Sequence, residues 1–190
     1  MFDHFAKEKS DFLKKKDKSK KGCVDEDAKE IVDLVNSKKD FYTTSSCSGR
    51  IVLLKMKSKK KNKCDWIFTK HNKVNFEEIN DSIKNKTKIK YGIYFKQQPL
   101  ILHIACRNLD AANKLLNASR KIFRRAGIIG VTNRKAMIEI IGDERIETII
   151  CDKDFVADGE YIKELIKYAN LNFVENKRKS ERFLKIIEKI

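Results

Sequence analysis

The chain has 190 residues, with 43 Lys and Arg against 27 Asp and Glu, a formal net charge of +16. Seven glycines and one proline exclude a collagen-like or proline-rich chain, and apolar residues recurring almost throughout exclude a disordered tail. A chain of this size can fold without disulfide or metal staples, and its charge favours polyanionic partners: nucleic acid, an anionic membrane or phosphorylated small molecules.

Phe2, Phe5 and Phe12 predict a short amphipathic helix, followed by a basic run over residues 14–21 and a turn at Gly22. Asp25 is expected to cap a second helix, with Glu26 and Asp27 at its positive end and Ala28, Ile31, Val32 and Val35 on one face, ending near Asn36. Residues 41–44 read as a strand that Ser45-Ser46-Cys47-Ser48-Gly49-Arg50 interrupts, and residues 51–56 as the next. The basic segment 57–63 suits a hairpin loop, and Trp66, Ile67 and Phe68 belong to a third strand that runs out at His71. A short helix over 76–86 precedes two strands, near 87–95 and 100–106, with Pro99 at the entry to the second. The apolar face from Leu109 to Phe123 predicts a helix with Arg124 and Arg125 in its last turn and Gly127 as its terminator. Strand-like runs follow at 128–132, 136–141 and 144–150. The chain then turns helical through Ile162, Leu165, Ile166, Ala169 and Phe173, and on to Phe183, Ile187 and Ile190. Grouped strands with helices between them, and no linker, predict one α+β domain over residues 1–190 with a mixed or largely antiparallel sheet flanked by helices. A doubly wound fold would need a more regular alternation.

The first residues contain no apolar signal core, no run approaches 18 apolar residues, and the last residues carry no lipidation signal, so a soluble cytoplasmic protein is expected. Cys23, Cys47, Cys64, Cys106 and Cys151 are widely spaced without a CxxC pair, which fits reduced thiols and supports no metal site.

The densest chemistry lies in Ser45–Arg50. Ser45, Ser46 and Ser48 offer hydroxyls, Gly49 permits a tight turn or a close ligand, and Arg50 can grip a phosphate or carboxylate with two parallel donors. The plain alternative is a structural hairpin turn with Cys47 as a small buried apolar residue; a nucleophilic Cys47 would need a cationic setting. Alternation through residues 102–107 puts His103, Ala105 and Arg107 on one face and Leu102, Ile104 and Cys106 on the core face, so His103 and Arg107 could meet an anionic ligand and His103 could exchange a proton. Neither a GxGxxG nor a GxxxxGK[ST] peptide occurs, which leaves the common nucleotide-binding loops without support. The zinc-deaminase pattern and the aromatic RNP motifs of a standard RNA-binding sheet are absent too.

The peptides SKKGCVDED, FYTTSSCSGRI, Trp66–His71, PLILHIACRNLDAA and YAN…ENKRKSERF, in this order, make the chain resemble the TYW3 family of wybutosine-synthesizing proteins, from residue 2 to about 187. The resemblance implies a compact α+β fold distinct from the Rossmann methyltransferases. It also implies transfer of a methyl group from S-adenosylmethionine to N4 of an aminocarboxypropylated wye-base intermediate beside the anticodon of tRNA(Phe). The family's marked positions fall on Asp25, Ser45, Ser46, Cys47, Gly49, Arg50, His71, His103 and Arg107. Asp25 or His103 would remove the nitrogen proton, and Ser45–Arg50, His71 and Arg107 would bind substrate or cofactor. The partner implied is the anticodon arm, docked by basic runs at 14–21, 57–63, 120–125 and 177–182. No obligate protein partner is evident. Family members carry Arg-Asn-Ser-Gly where this chain reads Arg124-Arg125-Ala126-Gly127, a departure at the expected helix end. The alternatives are a non-catalytic RNA-binding or assembly module and a hydrolase using Cys47.

Overall fold

A computed structural model describes residues 2–14, 25–58, 63–84 and 89–190. In chain order its elements are α1 (His4–Leu13), α2 (Glu26–Ser37), β1 (Phe41–Cys47), β2 (Arg50–Met56), β3 (Cys64–Lys70), α3 (Phe76–Lys84) and β4 (Ile93–Gln98). Then come β5 (Ile101–Cys106), α4 (Leu109–Ser119), β6 (Arg125–Val131), β7 (Ala136–Ile141), β8 (Ile146–Cys151) and α5 (Gly159–Ile187). Among the described residues the strands pair antiparallel throughout, in two four-stranded sheets of order β1-β5-β7-β6 and β3-β2-β4-β8. This is the α+β class expected, without the parallel crossovers of a doubly wound fold.

The sheets belong to two compact units. The first comprises Met1–Ser48, Leu100–Asp143 and Asn176–Ile190; the second comprises Gly49–Pro99 and Glu144–Glu175. In the first unit the sheet buries Leu102, Ile104, Ile138 and Ile140 among Ile31 and Val35 of α2, Leu115 of α4 and Phe183 and Ile187 of α5. Phe183 meets Phe123 edge to face at 5.4 Å, and burying each such ring contributes about 1.5–3 kcal/mol. The opposite side of this sheet is covered at Tyr42 and Ala105 by Phe5 of α1. Ala105 is therefore buried, contrary to the exposed face that alternation assigned to it.

In the second unit Ile51, Leu53, Ile93 and Phe95 line one sheet face and pack against Ile79 of α3 and Ile162, Leu165, Ile166 and Ala169 of α5. Asn170 of α5 secures the loop before α3, accepting from the Val74 N–H at 3.0 Å and donating to its carbonyl at 2.9 Å.

Several boundaries differ from expectation. β1 runs on through Ser45, Ser46 and Cys47, which pair with His103, Leu102 and Ile101; polar residues are tolerated because β1 is an edge strand. β1 and β2 lie in different sheets, so Ser48-Gly49 is not a hairpin turn. α4 stops at Ser119, whose hydroxyl bonds the Leu115 carbonyl at 2.7 Å while its own carbonyl accepts from Ile122 and Phe123 in a tight turn. Ile122 and Phe123 reach the core from that turn, Arg124 follows it, and Gly127 lies inside β6 rather than ending a helix. The residues flanking the basic loop close a hairpin, Lys57 N–H to Lys63 carbonyl at 2.8 Å. The strand expected near 87–95 begins at Ile93; Thr87 and Lys88, like Gly22, Cys23 and most of the basic run 14–21, lie outside the described residues.

Candidate functional site

Asp25 holds the N-cap position of α2 but makes no side-chain capping bond. Its buried carboxylate instead accepts from the Ser48 N–H at 3.2 Å and the Ser48 hydroxyl at 3.3 Å. The cap expected from sequence is thus a tie between the start of α2 and the end of β1. Cys47 lies within 4.8 Å of that carboxylate. The four described cysteines are free thiols, and burial pushes that of Cys106 up to about 12.

On the same sheet Ser45 is exposed and stands opposite His103, which stands opposite Glu139 of β7. His103 Nε2 meets the Glu139 carboxylate at 2.8 Å, with both side chains about one-third exposed. A carboxylate on one ring nitrogen fixes the imidazole's orientation and leaves Nδ1 for proton exchange. Sequence reasoning missed Glu139; its signal was a single charge within the apolar run Ala136–Ile141.

Arg107 does not join His103. It sits four residues further along, about 13 Å at strand rise, and beyond the end of β5. Its Nε donates to Asp40 at 2.6 Å and its Nη1 to Asp3 at 2.7 Å, and the guanidinium lies 4.8 Å from the Phe5 ring centre. Arg107 thereby fastens α1. Lys135 does the same further along, bonded to Glu8, whose carboxylate also accepts from Tyr42 at 3.0 Å.

In the second unit Gly49 carries a φ of +103°, which strains any L side chain. Arg50 follows, its Nε donating to Gln98 at 2.6 Å and its guanidinium 4.6 Å from the centre of the Trp66 ring. The cation is half-buried, with Nη1 and Nη2 not engaged by that bond. His71 is half-buried directly after β3.

Asn176 of α5 also went unnoticed in the sequence. It is 2% exposed, and neither Oδ1 nor Nδ2 has a hydrogen-bond partner among the described residues. A buried amide left so costs stability. Its signal was hidden, because a polar residue in the charged stretch 175–182 looks like part of a solvated face.

The antiparallel pairing of both sheets sets the chain outside the parallel nucleotide-binding folds, as an α+β protein. The profile of the family described as "Methyltransferase TYW3" matches residues 7–189, and the chain belongs to that methyltransferase family. It is 35% identical over 195 residues to a protein of Archaeoglobus fulgidus named tRNA(Phe) 7-((3-amino-3-carboxypropyl)-4-demethylwyosine(37)-N(4))-methyltransferase, covering 100% of this chain and 95% of the relative. The tRNA wybutosine-synthesizing protein 3 homolog of Mus musculus is 35% identical over 190 residues, 97% of this chain and 73% of the relative. Among solved structures, the PH1069 protein of Pyrococcus horikoshii OT3 superposes with a TM-score of 0.84 at 26% identity, covering 99% and 95% of the two chains. Among the described residues no helix is long and apolar enough to cross a membrane.

The family's Arg-Asn-Ser-Gly departure falls at the start of β6. Ala126 is buried in the core of the first unit, and its carbonyl accepts from Arg120 at 3.1 Å. The expectation that it marks a helix end is corrected: this chain uses the position for strand packing.

Proposed function

We propose that the chain methylates N4 of the 7-(3-amino-3-carboxypropyl)-4-demethylwyosine base beside the anticodon of tRNA(Phe), with S-adenosylmethionine as methyl donor. The observation that carries this is the end-to-end similarity to the Archaeoglobus protein of that name. Taken singly, Arg50 suits a carboxylate, Asp25 an ammonium or hydroxyl, and Asn176 a group that both donates and accepts. S-adenosylmethionine supplies a methyl group on a positively charged sulfur. The protein's part is to hold the accepting nitrogen in line with that methyl group, which can account for much of the acceleration.

Ser45, Ser46, Cys47, Ser48 and Gly49 shape the contact surface, Arg50 grips the amino-acid end of cofactor or base, and His71 contributes a further polar contact. Nδ1 of His103 takes the proton that N4 releases, with Glu139 as its positioning residue. Asp25 is the second candidate for that proton. Arg107 acts by holding α1 to the sheet and, with its remaining donors, toward tRNA phosphate.

The decisive experiment supplies labelled S-adenosylmethionine and tRNA(Phe) bearing the aminocarboxypropylated precursor. Label should enter the tRNA base, and Arg50→Ala should lower kcat/KM by about 10–100-fold, the loss of a hydrogen-bonded charge, with little change in melting temperature. Bound tRNA with no methyl transfer would instead make the protein a non-catalytic RNA-binding module.

A further inference from the structure

The sheet of the second unit has a face opposite its core, and pairing register arranges it in rows. Trp66, Leu54, Tyr94 and Ile149 stand opposite one another across β3, β2, β4 and β8. Trp66 is 47% exposed and Ile149 39%, and Tyr94 is half-buried. Each aromatic ring comes with a cation: Arg50 at 4.6 Å from the Trp66 ring centre, Lys96 at 5.9 Å from Tyr94, and Lys90 at 5.4 Å from the neighbouring Tyr91. Glu147 on this face is already engaged by Lys96 at 2.7 Å. Beside the row lies a cavity of about 250 Å³ whose lining includes Met56, Tyr91, Tyr94 and Lys96. That is below the roughly 300–1,000 Å³ of a cofactor-sized cleft and suits a single flat ring.

We propose that this face is a stacking platform for the unpaired bases of an RNA loop, with Trp66 and Tyr94 receiving bases and Lys90 and Lys96 the phosphates between them. Aromatic faces paired with cations are what an unstructured nucleic-acid strand needs, and they carry little sequence preference. An apolar protein partner would strip water from Lys90 and from the Lys96–Glu147 pair without replacing it; a polyanion suits the surplus positive charge, in keeping with the net charge of +16. Trp66 and Tyr94 lie on strands two positions apart, about 10 Å, so they cannot take neighbours stacked at roughly 3.4 Å as in a duplex. They fit bases splayed out of a loop. The inference deepens the proposed function, since it gives the anticodon loop a docking surface.

Trp66 is the only tryptophan in the chain and reports its own occupancy by fluorescence. The full chain is titrated with an RNA hairpin of anticodon-arm size, with the same stem as a blunt duplex, and with polyglutamate. Saturable quenching by the hairpin alone is expected. In filter binding, Tyr94→Ala and Trp66→Ala should each weaken the hairpin about ten-fold, while Trp66→Phe, which keeps a stacking ring, stays near wild type. Thermal melts verify that the variants are folded. Equal quenching by the duplex, or unchanged hairpin affinity in both folded alanine variants, overturns the platform. Equal quenching by polyglutamate would replace it with a site for an acidic protein, and self-association that shields Trp66 would replace it with a dimer interface. In the transfer assay Tyr94→Ala should raise KM for tRNA about ten-fold and leave KM for S-adenosylmethionine unchanged. A wild-type protein that quenches but transfers no methyl group sinks the proposed function and leaves the platform standing. Transfer that is indifferent to Tyr94→Ala sinks the platform alone.

Discussion

Asn176 offers a test of stability against function at the level of one side chain. Its amide is 2% exposed and both polar atoms lack a partner among the described residues, a cost of about 1–3 kcal/mol that a well-packed apolar side chain would not incur. Asn176→Leu is therefore expected to raise the melting temperature and to lower kcat/KM at least ten-fold; a variant that melts lower would show the amide to be structural. The other site residues differ in how readable they were. The peptide Ser45–Arg50 announced itself by packing hydroxyls, glycine and arginine between apolar runs, and Gly49 does adopt the left-handed backbone that only glycine takes easily. Glu139 and Gln98 could not be found that way, because their relation to His103 and Arg50 depends on strand register between distant segments. Asp25 was placed at the right helix end with the wrong bond. A capping residue and a tether to a neighbouring strand look alike in sequence.

Helices and strands were legible where periodicity was clean, as in α2, β7 and α5. It failed where apolar spacing continued past a change in backbone: Ile122 and Phe123 keep the helical interval, yet they hang from a turn that Ser119 closes. At α1 the sequence predicted an amphipathic helix, and the structure adds what holds it. Glu8 is kept below the ordinary 4.5 chiefly by the hydrogen bond from Lys135, with Tyr42 assisting. A carboxyl lowered in the folded state stabilises above the unfolded value and loses that contribution as pH falls through the lowered one. Glu8→Gln should thus cost at most about 1 kcal/mol at pH 7, given a side chain 40% exposed. The gap from wild type should close below pH 4.5, as urea melts at pH 7 and pH 3 would show. A gap that widens in acid would assign the contact no electrostatic role.

For the whole molecule the charge of +16 makes a prediction that separates tRNA from S-adenosylmethionine. Raising salt should raise KM for tRNA steeply, since each phosphate contact to a single strand contributes about −0.7 to the slope of log affinity against log salt, while KM for S-adenosylmethionine moves much less. Parallel shifts in both would mean that salt acts on the fold. The division into two units was invisible to sequence reading because no linker marks it: the chain passes from one unit to the other after Ser48, Pro99, Asp143 and Glu175. That threading also sets an order of maturation during synthesis. The second unit has all its residues once Glu175 is made, whereas the first, begun at the N-terminus, waits for Phe183 and Ile187 to fill its core. At roughly 5–20 residues per second, the earliest helices and strands spend on the order of ten seconds with an unfinished apolar surface.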